Sequence, residues 1–543
     1  SHSKYFKLGK EGENMNDDYD EEYENEIFED YKQINAVFKQ NLPAVVQQFQ
    51  KSAMNISHYN ETPAVISFFT ILGQICKDFV AIPFEEEYED SRIHFLHIQT
   101  SGTGKTTLSN FVQPIARNVF EQINTKQKHP YNMNVEVPVK DEQGNIEKYP
   151  DDHDKKGQPI MHYARKKFDV FSVQVATSAA LVGHYALQDE METDDNGNSR
   201  RTGHKIEVKM TGALEGSGLA HWDEFERSGI FSPNSHQVDM VVFLNTMLNT
   251  LHGDSWVMKK QLKEGDIVET FGERSVLAMT YPPTELNRIM TETGLLQRML
   301  CYIREVPEAV QHNIRKKKIT KFGKYKDRQG PMDKFSDEFI KMYDLVQERY
   351  EEQLKEGKSE IETKCSMMTY TDSATDLLDL EYENMVGYIN DCGLFVREVA
   401  NLFINRLYIT TSKLAVLCSI AQAPYITDKS KQFVVTGQNV RQAGAITRQC
   451  YMSLVEWLER SLKEKRISSP LFNAKPFKEK YEEMAKKTED GWVNRKLYIS
   501  QMCKIVKKSN PQVNKDFKNH CSKYFEDKKI GRPTYIKLKE VKK

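Results

Sequence analysis

The stretch from Arg92 to Leu108, RIHFLHIQTSGTGKTTL, constrains this chain more than any other. Apolar Ile93, Phe95, Leu96 and Ile98 read as a buried strand. A loop carrying Gly102 and Gly104 follows, and Lys105, Thr106 and Thr107 open an apolar helical run. Strand, glycine turn and helix start together make a phosphate cradle. The glycines let backbone N–H groups approach phosphate oxygens, and the helix N-terminus adds partial positive charge. The expected nucleotide-holding set is Thr100, Ser101, Gly102, Thr103, Gly104, Lys105, Thr106 and Thr107. Lys105 would reach the β- and γ-phosphates, and the Thr106 hydroxyl would ligate Mg²⁺. The usual pattern has glycine five positions before the Gly-Lys pair, and Gln99 stands there instead.

A phosphate loop needs an acidic partner on a second strand. GLAHWDEFE supplies it: Leu219 and Ala220 lead into Asp223-Glu224, about 120 residues after Lys105. Asp223 would orient Mg²⁺, and Glu224 would polarise the attacking water.

At 543 residues the chain is too long for one core, and several domains are expected. The formal net charge is only −2, but charge is unevenly placed. Residues 11–30 carry 11 Asp/Glu and no Lys/Arg, whereas residues 491–543 carry 15 Lys/Arg against 4 Asp/Glu. A basic end points to nucleic acid, with a solvated charged face as the bland alternative. Eight cysteines occur singly with no CxxC pair, which argues against a zinc ribbon or a disulfide framework. The expected location is therefore a reducing cytoplasm, or the nucleoid or host cytoplasm for a plasmid or viral protein. No run of 18 apolar residues spans a membrane, and no signal peptide is visible. The first residues are Ser-His-Ser, which leaves room for an upstream domain.

Pattern and composition predict six regions. Residues 1–25 form a disordered acidic segment, and 26–62 an N-terminal helical segment. An α/β nucleotide-binding core covers 63–310, with inserts at 129–159 and 184–209 and a hairpin at 256–274. A basic linker at 311–333 reads as a tether that could also touch phosphates. A helical region covers 334–464. Residues 466–543 read as three helices and a β-wing, a basic winged helix.

With these motifs placed, the chain resembles the minichromosome maintenance class of AAA+ replicative helicases. GALEGSGLAHWDEFERSG resembles that family's segment through its acidic strand end. VATSAALVG resembles the small-residue helix that precedes an insert. KEGDIVETFGERSVLAM resembles a hairpin running into the sensor-1 strand, with Lys263 standing 12 residues before Ser275. LLQRM resembles the family's arginine-finger motif, which matches Arg298 to the finger. The likeness covers about residues 90–305, and the wider AAA+ class includes plasmid and phage replication helicases. Departures are Gln99, Gly104 in place of the family's alanine, and Tyr281 at the sensor-1 asparagine position, with Thr280 adjacent. Arg397 and Arg406 both remain candidates for sensor 2. The family's N-terminal zinc and oligonucleotide-binding region has no counterpart in residues 1–62, as in a reduced relative carried by a mobile element or virus.

The resemblance implies an α/β AAA+ P-loop ATPase core with helical flanks and a winged-helix domain. It implies ATP and Mg²⁺ as cofactors and Lys105, Asp223, Glu224 and Arg298 as the catalytic set. Arg298 would act on the neighbouring copy, so a ring is expected, most simply a hexamer. Lys263 would grip single-stranded or forked DNA in the pore, with Lys259 and Lys260 near the hairpin base. A primase or other replication proteins are expected partners. Two competing readings are an AAA+ ATPase that loads or remodels proteins on DNA, and a DNA-binding scaffold with a degenerate nucleotide site.

Overall fold

The computed structural model describes residues 42–127, 135–138, 161–164, 168–173, 183–193, 199–212, 214–225, 235–250, 257–261, 267–282, 294–320, 328–390, 392–463, 475–488, 491–506, 525–529 and 534–538, with a few single positions between them. Two compact units emerge. One runs through Arg460, and Ser461–Lys543 belongs to the other.

The first unit is built on a five-stranded parallel sheet. Its strands are β1 (Phe95–Gln99), β2 (Phe168–Val173), β3 (Gly216–Trp222), β4 (Ile267–Thr280) and β5 (Leu300–Arg304), in the spatial order β5-β1-β4-β3-β2. Every residue of β1 and of β3 is buried. Such continuous burial is what a parallel sheet covered on both faces requires, and it explains the unbroken apolar runs. β4 is a single strand of 14 residues. The strand passes straight through Gly272-Glu273. Its N-terminal part pairs with Val257–Gln261 as an antiparallel ribbon, so the predicted hairpin runs directly into the sheet.

Register brings Arg274 of β4, Gly218 of β3 and Asp169 of β2 side by side. The wholly buried Arg274 guanidinium reaches across to ion-pair with Asp169. It also donates to the Glu215 carbonyl at 2.7 Å and the Ser217 carbonyl at 3.2 Å. Gly218 has φ +117°, and a Cβ there would stand 1.9 Å from the Asp169 carbonyl oxygen. Nearby, Lys77 and Glu273 pair at 2.7 Å with both side chains buried, and Ser217 Oγ donates to the same carboxylate at 2.9 Å. The charges are paired and hydrogen-bonded, the condition under which burial is tolerable.

Helices pack around the sheet. α1 (Ala44–Met54), α2 (Glu61–Cys76), α3 (Lys105–Gln127) and α5 (Gln329–Leu354) meet at Phe49. Its ring lies 5.3 Å from Phe68, 5.4 Å from Phe111 and 5.1 Å from Phe335. α2 is buried along almost its whole length, as its apolar composition on every side demands. Between β5 and α5, α4 (Glu308–Ile319) occupies part of the predicted linker. Val310 and Ile314 are buried against Val306 and Tyr59, so this basic stretch is docked helix up to Ile319. α6 (Leu394–Gln422) and α7 (Gly437–Lys463) match the two long apolar helices expected there.

The insert at 184–209 is an antiparallel ribbon, Gly183–Thr193 with Ser199–Thr211. In the 129–159 insert, Val135–Pro138 pairs with Met161–Ala164. The acidic segment 1–25 and the small-residue helix expected at VATSAALVG, as far as Val182, lie outside the described residues. No described helix is long and apolar enough to cross a membrane.

The second unit contains α8 (Lys475–Ala485), α9 (Arg495–Val506) and a small antiparallel sheet. Its strands β6 (Val493–Asn494), β7 (Phe525–Lys529) and β8 (Thr534–Leu538) lie in the order β6-β8-β7. Phe477, Tyr481, Tyr498, Met502, Phe517, Phe525 and Ile536 give it a core of its own.

Substituting Gly218→Ala should cost well over ~1 kcal/mol, because alanine adds both an unfavourable φ and a backbone collision in the sheet. Urea unfolding checks this by a lowered midpoint relative to the unsubstituted chain.

Candidate active site

β1 delivers the chain into the loop at Thr100, and α3 begins at Lys105. Gly102 (φ +74°) and Gly104 (φ +98°) take left-handed conformations that favour glycine. Gly104 is doubly constrained, since a Cβ would lie 2.7 Å from Ser57 Oγ. That hydroxyl instead donates to the Gly104 carbonyl at 2.8 Å, and Asn60 Nδ2 donates to the Thr103 carbonyl at 3.0 Å. The Ser57–Asn60 turn thus braces the loop from behind. Sequence reasoning missed it; the only signal was turn-forming polar residues in ISHYN.

Gln99, the apparent defect in the motif, is buried and holds the loop. Its Nε2 donates to Thr103 Oγ1 at 2.8 Å, and its Oε1 accepts from His97 Nε2 at 2.8 Å. Burial pushes His97 down to about 3, which keeps the ring neutral. Thr103 Oγ1 passes its own proton to the Thr100 carbonyl at 2.6 Å, and Thr100 Oγ1 accepts from the Val306 N–H at 3.0 Å. The side chains of Thr100 and Thr103 are therefore scaffold.

One cleft, with an empty volume of about 570 Å³ that includes open solvent, gathers most of the remaining predicted set. Ser101, Gly102, Gly104, Lys105, Thr106 and Thr107 line it from the loop, Asp223 and Glu224 from the end of β3, and Thr280 and Tyr281 from the end of β4. Register explains the meeting: Thr280 of β4 stands beside Ile98 of β1, and Ala278 beside Trp222 of β3. All three strands therefore end at one level, the usual binding edge of a parallel sheet.

Lys105 Nζ donates to the Gln99 carbonyl and, at 3.1 Å, to the Thr100 carbonyl. It also sits 4.6 Å from the Tyr281 ring centroid. Burial lowers its pKa to about 8, partly opposed by the charge of Asp223. A cation–π contact stabilises by about 0.5–2 kcal/mol, less than charge-assisted bonds to a phosphate at about 1.5–3 kcal/mol each. Phosphate would therefore draw Lys105 off the ring.

Glu224 has φ +54°, an uncommon conformation for a residue with a Cβ and the kind of local strain found at working sites. Its own N–H donates to Asp223 Oδ1 at 3.1 Å, which fixes the two carboxylates relative to each other. The Tyr281 hydroxyl donates toward Glu224 Oε1 across 3.5 Å. Tyr281, the departure at sensor 1, thus touches both the lysine and the acid.

The Thr106 hydroxyl and the Asp223 carboxylate are hard oxygen donors, the type that suits Mg²⁺. Among the described residues, no group of three or more His, Cys, Asp or Glu could hold a metal. A cation here would draw its other ligands from phosphate and water. Lys318, in the last turn of α4, also lines the cleft. Its signal was the basic run RKKK, which had been assigned to the linker.

Arg298 lies elsewhere. It ends the 3₁₀ turn Leu296–Arg298, with Nε donating to Asn249 Oδ1 at 2.8 Å and Nη1 to the Gly294 carbonyl at 2.8 Å. It lines a second cleft with Glu89, Arg92, His94, Arg406 and Lys413. Burial, and then the Arg406 charge, lower the Arg298 pKa. Arg406 is thus the sensor-2 candidate that accompanies Arg298. Arg397 is exposed at the start of α6 and donates to the Cys392 carbonyl at 3.2 Å. Neither arginine lines the loop cleft. Lys259 and Lys260 lie on the ribbon strand Val257–Gln261, opposite Glu269 and Val268, while Lys263 is outside the described residues.

No known protein-family model matches this chain, and no curated protein is detectably similar to it in sequence.

Nucleotide affinity should fall as pH rises through about 8, because Lys105 must be charged to hold phosphate and its pKa is depressed to about 8. At pH 9 about one molecule in ten would be competent, which weakens apparent affinity roughly tenfold relative to pH 7. Titrations with Mg·ATP across pH 7–9.5 check this. A flat profile would show that the lysine charge does not govern binding.

Proposed function

We propose that this chain is an ATP hydrolase of the AAA+ kind, working as a helicase ring that moves along DNA during replication of a genome or mobile element. The observation that carries the reading is the convergence of Lys105, Thr106, Asp223, Glu224 and Tyr281 on one cleft. The loop and the N-terminus of α3 would hold the phosphates, and Thr106 and Asp223 would hold Mg²⁺. Bound Mg²⁺ would neutralise charge on the phosphates. Glu224 would take the proton from the attacking water, with Tyr281 aiming its carboxylate.

Arg298 and Arg406 support a shared site. Among the described residues neither forms an ion pair with a carboxylate, although Glu89 lines the same cleft and its charge acts on Arg298; two guanidiniums placed together favour a further anion. That anion would be the nucleotide of the next copy, which calls for a ring, most simply a hexamer. The ribbon that feeds β4 connects the site to DNA. Movement at Thr280-Tyr281 would pass along one continuous strand to the hairpin carrying Lys263, with Lys259 and Lys260 behind it. The C-terminal unit is read as a winged helix on the strength of its helices, its wing-like hairpin and its basic charge.

Two variants test the reading together. Glu224→Gln should retain ATP binding and lose turnover by at least ~10²-fold, the scale of a lost general base. Lys263→Ala should keep basal ATPase and lose strand displacement on a forked duplex. Equal loss of both activities in Lys263→Ala would remove the pore-hairpin assignment, and unchanged turnover in Glu224→Gln would remove the hydrolytic one.

A further inference from the structure

The small sheet of the C-terminal unit has one face in the core, and its other face ranges from half-buried to exposed. Val493 of β6, Phe525 of β7 and Ile536 of β8 are buried. Strand alternation therefore puts Trp492 and Asn494, Tyr535 and Lys537, and Glu526 and Lys528 on the opposite face. Register agrees, with Asn494 opposite Tyr535, Lys528 opposite Tyr535 and Glu526 opposite Lys537. Trp492 is only half-buried there. Lys528 Nζ lies 5.6 Å and Lys537 Nζ 6.0 Å from its ring centroid. Among the described residues neither lysine makes an ion pair with a carboxylate, although Glu526 stands on the same face.

We propose that this face is a binding platform for single-stranded nucleic acid, on which one base stacks against Trp492 while Lys528 and Lys537 hold the adjoining phosphates. The lysines' contact with the ring is weak at an exposed site, so their flexible stems can swing to phosphate oxygens at little cost. In a duplex the faces of the bases are hidden in the stack, so only an unpaired strand can offer one to Trp492. The surrounding sequence favours a polyanion, with 15 Lys/Arg against 4 Asp/Glu in residues 491–543. Among the described residues Glu526 is the one acid on the face. A protein surface would gain little from two uncompensated lysines flanking an aromatic ring, which is why a polynucleotide is the better occupant. The platform would bind whether or not ATP is hydrolysed.

Tryptophan fluorescence of the full chain, titrated with a ten-nucleotide oligo(dT) or oligo(U), tests this. The chain has four tryptophans, and the difference between the unsubstituted chain and Trp492→Phe isolates the local signal. Quenching carried by Trp492 is expected, and the tighter of the two oligonucleotides shows whether DNA or RNA is the ligand. Trp492→Ala should weaken binding about tenfold, and Trp492→Phe should restore most of it. Lys528→Ala with Lys537→Ala should reduce the slope of log affinity against log salt by about 1.4. Should Trp492→Ala disturb the fold by circular dichroism, the surface lysine pair and the phenylalanine variant still decide. Quenching by a blunt duplex equal to that by single strands would overturn the proposal. So would a signal independent of residue 492, or an unchanged salt slope.

Discussion

The register among β1, β4 and β3 decides where every residue of the candidate site lands. Thr280 pairs with Ile98, and Ala278 with Trp222, so the glycine loop, Tyr281 and the Asp223-Glu224 pair emerge at one edge. A slip of one residue would exchange the two buried faces of β4, carry Glu273 and Arg274 away from their partners and separate the lysine from the acids. Such a slip is opposed by groups that fit only one alignment. Arg274 must reach Asp169 past Gly218, and Glu273 must meet Lys77 and Ser217. The buried ions cost desolvation and are retained where they lock alignment, a specificity role that apolar residues could not supply.

The same logic accounts for the irregular glycine loop. Where the familiar pattern has a flexible glycine, Gln99 bonds to His97 on one side and Thr103 on the other. Ser57 and Asn60 fix the two carbonyls that follow. A loop held this way gives up little further entropy when it closes on a ligand, which is the advantage of preorganisation. Tyr281 extends the departure to the other side of the cleft, where one side chain meets both Lys105 and Glu224.

Much of this was legible in sequence because it rests on local patterns. The strand–glycine–lysine stretch, the acidic strand end, the sheet strand SVLAMT and the long helices at Leu394–Gln422 and Gly437–Lys463 all follow from periodicity and turn residues. What escaped depends on long-range contacts. Nothing in RKKKI announces that Lys318 belongs to the cleft, since α4 is fixed by two small apolar residues, Val310 and Ile314, against Val306 and Tyr59. Nor does the acidic run FEEEYED announce that Ala81–Phe84 and Glu87–Asp90 pair as a hairpin whose Asp90 neutralises buried Arg92. Arg406 lines the cleft with Arg298 whereas Arg397 does not, a placement that depends on how α6 packs and not on local pattern.

Arg298 and Arg406 line a cleft apart from the glycine loop, and under the proposed function they would serve the nucleotide of a neighbouring copy. The most direct measurement is sedimentation of the Glu224→Gln chain with Mg·ATP and single-stranded DNA, across a hundredfold range of protein concentration. The account predicts a closed assembly of about six copies that Arg298→Ala weakens. A particle that remains a single copy at every concentration, with nucleotide and DNA both present, would contradict it.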